Sequence, residues 1–166
     1  EPDSPINQLE FLSIEERQKL VVGFNDTAVD YPKDKTIVDL FEERVSKTPN
    51  NIALVFEEKT LTYQELNEKS NQLANYLREN YHIQKDELLG IMLDRSESTI
   101  IAILGILKSG AAYVPIDPEY PQARKEFIIK DTEIKVLITQ TNYTSDLEYY
   151  DGEVFKIDIQ LNDIGT

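Results

Sequence analysis

The sequence predicts an α/β fold: a mostly parallel sheet with helices on its faces. Two short runs, LLGIML at 88–93 and VLITQ at 136–140, are apolar on consecutive residues, the second over its first three. Such runs read as strands buried on both faces, the habit of parallel sheets. Between them lie segments with apolar residues at helical spacing, so helices and strands alternate along the chain. One of these segments, Ile100 to Leu107, is apolar almost all round, as expected for a helix held between a sheet and a covering layer.

At the start of the chain, residues 1–35 carry Pro2, Pro5 and Pro32 and one helical signal, a capping-box pattern of Ser13 and Glu16 ahead of Leu20 and Val21. This stretch reads as a linker with one amphipathic helix. Thr36 caps a helix that places Ile37, Leu40, Phe41, Arg44 and Val45 on one face and ends before TPNN at 48–51. IALVF at 52–56 has the composition of a buried strand, and EEK at 57–59 turns into a short strand, TLT. Thr62 and Glu65 form a second capping box, followed by Tyr63, Leu66, Ser70, Leu73, Ala74 and Leu77 at helical spacing. LLGIML is a strand, and Ser96 opens a helix running to Lys108. Gly110 can take the left-handed conformation that ends it, with Lys108 in the last turn where a cation suits the helix dipole. AAYVPI at 111–116 is a strand, Pro121–Asp131 a helix, VLITQ a strand, and EVFKID at 153–158 another. There is no internal repeat and no low-complexity tract.

The segment LKSGAAYVPIDPEYP, 107–121, sets Pro115, Pro118 and Pro121 at a strand exit. A proline has no N–H for a ladder, so Pro115 marks a strand end, an edge or a bulge. Pro118 holds Asp117 in an extended or turn geometry, and Pro121 suits the first position of a new helix. The segment is a rigid corner without a catalytic group, and Asp117 is expected as an Asx-turn partner rather than as a working carboxylate.

Composition excludes several function classes. A chain of 166 residues fits one domain or one and a half. Its net charge of −14 argues against a sequence-independent grip on nucleic acid, which needs clustered lysine and arginine. No basic patch addresses an anionic membrane, and the longest apolar run is far shorter than a bilayer requires. No charged-then-apolar leader opens the sequence, and a cytoplasmic location is the expectation. Without cysteine there is no thiolate nucleophile or thiolate metal site. The one histidine, His82, falls in a polar connection after a helix and reads as solvated.

Other chemistry-like stretches read as structure. Arg95 in RSE, 95–97, stands near a helix start that favours anions, yet it is one cation amid excess negative charge. Tyr149 and Tyr150 in DLEYYDGE are expected in a turn, as surface or packing residues.

LTYQEL, Leu61–Leu66, and LKSGAAYVPIDPEYP resemble the first two core motifs of the amino-acid adenylation domains of nonribosomal peptide synthetases. The collinear segments TIVDLFEERVSKTPNNIALVF, ELNEKSNQLANYLREN, IMLDRS and ILGILKSGAAYVPIDPEYP extend the likeness over roughly residues 36–140. LSIEERQKLVVGFNDTAVDYP is similar to the connector that follows a condensation domain in such enzymes. The sequence departs from the pattern at YHIQ, 81–84, at Ser109, and at ARKEF, 123–127.

The resemblance implies a connector with one short helix over 1–35 and the N-terminal portion of an adenylation domain over 36–166, an incomplete N-terminal lobe of an adenylate-forming enzyme. Its framework residues are Leu61, Thr62, Tyr63, Glu65 and Leu66 in the first motif. In the second they are Leu107, Lys108, Gly110, Ala112, Tyr113, Pro115, Asp117, Pro118, Tyr120 and Pro121. A parent enzyme of this kind would use ATP and magnesium to convert an amino acid into an aminoacyl-adenylate. It would then load the thiol of a phosphopantetheine-bearing carrier domain. The implied partners are a condensation domain upstream, a carrier domain downstream and an MbtH-like helper protein. No catalytic, cofactor-binding or metal-binding residue of the family maps onto this chain. NYTSDLEYY at 142–150 begins like the family's phosphate loop, but Asp146 stands where glycine is needed and no glycine-rich run comes after it. The segment alone is therefore expected to be inactive and to self-associate through uncovered apolar surface. Two other readings remain at this level: a self-contained small α/β binding module, and part of an enzyme of the acyl-CoA ligase type.

Overall fold

The computed structural model describes residues 11–164, so Pro2 and Pro5 lie outside the described residues. The chain separates into two compact units, Glu1–Asp34 and Lys35–Thr166.

The described part of the first unit contains one helix, α1 (Ile14–Val21), and a 3-10 turn at Gly23–Asn25. Ser13 and Glu16 form the capping box that the sequence predicts. None of the residues of α1 is buried.

The second unit is organised by a four-stranded, all-parallel sheet in the order β4-β3-β5-β6, formed by β3 (Leu88–Met92), β4 (Ala112–Pro115), β5 (Val136–Thr139) and β6 (Glu153–Lys156). The remaining elements are α2 (Ile37–Lys47), a hairpin of β1 (Ile52–Phe56) and β2 (Lys59–Thr62), α3 (Tyr63–Asn80), α4 (Glu97–Ser109), α5 (Gln122–Thr132) and α6 (Ile157–Asp163).

Strand alternation divides the core in two. Leu89, Ile91, Val136, Ile138 and Phe155 join Leu66, Leu73 and Leu77 of α3, Ile101 and Ile106 of α4, and Ile157 and Leu161 of α6. On the opposite face, Met92 and Leu137 meet Ile116, Ile134, Leu147 and Ile129 of α5. Successive residues of one strand thus serve opposite cores, the physical reason why these runs are almost wholly apolar, the buried Thr139 donating its hydroxyl to Met92 O at 2.8 Å. At the α3–α4 crossing, a Cβ on Gly105 would stand 2.7 Å from Leu73 Cδ2. Glycine lets the two helices approach there.

Two expectations are corrected. IALVF is not a buried strand: β1 pairs antiparallel with β2 in a separate two-stranded sheet, and Ile52 and Val55 are exposed. EVFKID does not remain a strand to Asp158. The strand stops at Lys156, whose N–H donates to Gln160 Oε1 at 2.5 Å, and Ile157 begins α6. On α2 only Val45 is buried, while Ile37 and Leu40 are exposed.

Candidate functional site

The first motif works as a junction. Leu61 and Thr62 end β2, and Thr62 is the N-cap of α3. Glu65 N–H donates to Thr62 Oγ1 at 3.2 Å, and Thr62 N–H donates back to Glu65 Oε2 at 2.8 Å. These bonds favour the ionised carboxylate, and the one from the Thr62 backbone does most to hold Glu65 below the usual glutamate range. Tyr63 N–H reaches Asn51 O at 3.0 Å, and the Tyr63 ring lies 6.0 Å from the Phe41 ring of α2. Leu66 is buried. The five residues lock the hairpin and α2 to the start of α3.

The second motif begins at the end of α4, where Leu107 is half-buried. Gly110 is left-handed at φ 91°, and the N–H of Ala111 returns to Ile106 O at 3.2 Å, closing the helix. Lys108 does more than meet a helix dipole. Its side chain is only 4% exposed, and its ammonium donates to Glu42 Oε1 at 2.8 Å, Asn67 Oδ1 at 2.6 Å and Asn71 Oδ1 at 2.7 Å. The Phe41 ring lies 5.5 Å away. One cation therefore ties α2, α3 and α4 together, through partners up to 66 positions distant that no local pattern in the sequence signals.

Among the described residues β4 is an edge strand. Ala112 N–H donates to Glu87 O at 2.9 Å and Ile116 N–H to Ile91 O at 2.8 Å. By strand alternation Tyr113 and Pro115 then present their backbone nitrogens away from the sheet, so Pro115 costs no ladder bond and blunts the open edge. Beyond it, Asp117 Oδ1 accepts from Glu119 N–H at 2.9 Å and Asp117 O from Tyr120 N–H at 3.1 Å, the expected Asx-type turn. Pro118 O accepts from the ammonium of buried Lys125 at 3.2 Å. Pro121 stands at the N-cap of α5 rather than at its first helical residue, and its carbonyl accepts from Arg124 N–H at 2.8 Å.

A cleft of about 640 Å³ opens beyond the carboxyl ends of β3 and β4, lined in part by Asp94, Arg95, Asp117, Glu119, Tyr120 and Tyr143. Its floor is braced rather than free. Asp94 Oδ1 accepts from Tyr143 O–H at 2.5 Å, and Asp94 N–H donates to Gln140 Oε1 at 2.8 Å, which joins the exits of β3 and β5. The bond to Asp94 holds the Tyr143 phenol above its ordinary pKa. Tyr143–Ser145, the stretch that mimics a phosphate loop, lies in a 3-10 turn over Thr141–Asp146. Three carboxylates against the exposed Arg95 make this cleft repulsive to a triphosphate. Among the described residues no three His, Cys, Asp or Glu side chains are grouped to hold a metal ion. His82 is exposed in its loop. Ser96 caps α4 by position only, its hydroxyl meeting Asp94 O at 3.4 Å.

Residues 41–161 match the family described as AMP-binding enzyme. The chain is 49% identical over 138 residues to bacitracin synthase 3 of Bacillus licheniformis, across 83% of this chain and 2% of that protein. It is 48% identical over 141 residues to tyrocidine synthase 3 of Brevibacillus parabrevis, across 85% of this chain and 2% of that one. Among solved structures it is similar to a four-domain nonribosomal peptide synthetase bound to AMP and glycine, with a TM-score of 0.70 and 33% identity over 80% of this chain and 10% of that one. The chain thus spans a small share of each of these proteins. Among its described residues no helix is long and apolar enough to cross a membrane. With its parallel sheet, its two collinear motifs and these relatives, the chain belongs to the AMP-binding enzyme family and corresponds to the N-terminal part of a nonribosomal peptide synthetase adenylation domain.

Proposed function

We propose that residues 36–166 are the framework portion of an amino-acid-activating domain and that residues 1–35 are the connector leading into it. The observation that carries this is the use to which both motifs are put. Each of their polar groups that forms a bond bonds to a helix cap, a turn or a neighbouring element, and none converges on a reacting centre. The parent enzyme would join an amino-acid carboxylate to the α-phosphate of ATP with release of pyrophosphate, magnesium offsetting the charge. It would then pass the acyl group to a carrier thiol on phosphopantetheine. A condensation domain before it, a carrier domain after it, an MbtH-like helper and a cytoplasmic location complete the proposal. The fifteen motif residues then act by positioning, which is the main source of rate in phosphoryl and adenylyl chemistry.

The test is a chimera in which residues 36–166 replace the matching segment of tyrocidine synthase 3. Amino-acid-dependent pyrophosphate exchange retained in the chimera supports the proposal. A chimera that folds with an unchanged melting temperature and shows no exchange overturns it.

A further inference from the structure

We draw no further inference here: the strongest candidate, the pocket between the β1–β2 hairpin, the start of α4 and α6, where a buried oxygen of Glu97 has no hydrogen-bond partner among the described residues, rests on a helix N-terminus whose carboxylate is already paired with Lys59, and nothing in the structure shows what covers it.

Discussion

Helices α1 and α3 begin in the same way and differ in what they bury. Each has a hydroxyl N-cap and a glutamate at the third position, and each closes both hydrogen bonds of the box. Beyond its cap α3 buries Leu66, Ser70, Leu73, Ala74 and Leu77, whereas α1 buries nothing. A cap decides where a helix starts and is worth about 1 kcal/mol, but burial of an apolar face decides whether the helix belongs to a cooperative core. α3 is therefore expected to melt with the sheet, and α1 to open by itself at lower cost.

The largest test of this contrast is Leu73→Ala. The side chain is fully buried and crosses α4 at Gly105, so its loss should cost about 2–5 kcal/mol in denaturant unfolding. Gly105→Ala should cost about 1–3 kcal/mol by overpacking, and in combination with Leu73→Ala it should cost less than the sum of the two. Next is Lys108→Ala, expected to cost about 2–4 kcal/mol. It removes the cation shared by Glu42, Asn67 and Asn71, although half-exposed Glu42 regains water and limits the loss. Thr62→Ala should lower global stability by about 1 kcal/mol, while Ser13→Ala should reduce helical signal with no change in the main transition. Equal effects of the two cap mutations would break the comparison.

The smallest effect is one of pH. Glu65 is held below the ordinary glutamate pKa, so its contribution is fully present above that value and fades as pH falls through the lower folded value. The difference in melting temperature between the parent chain and Thr62→Ala should therefore shrink across that acidic window. Glu16 is shifted in the same direction, but its titration should move the local opening of α1 only.

Much of the fold is legible in the sequence because its signals are local. The helix caps at Ser13, Thr36 and Thr62, the left-handed Gly110, the Asx turn at Asp117 and the apolar strands all depend on residues within a few positions of one another. The hidden features depend on distant partners. IALVF has the composition of a core strand, yet its place in an exposed hairpin comes from pairing with β2 rather than with the sheet. α6 is masked because the alternation of β6 runs into Ile157, and only the i, i+4 spacing of Ile157 and Leu161 marks the change. The Lys108 cage and the Tyr143–Asp94 brace join residues more than 30 positions apart. The family resemblance supplies order and motifs but not these contacts.

If the chain is a framework whose polar groups serve its own packing, it has no use for the nucleotide by itself. Isothermal titration of ATP and magnesium into the purified chain tests this most directly. The predicted result is no saturable heat, because the cleft at the proline corner presents Asp94, Asp117 and Glu119 to an incoming triphosphate. Stoichiometric binding that is lost on Tyr143→Phe or Arg95→Ala would contradict it, and would assign the cleft to the chemistry rather than to the scaffold.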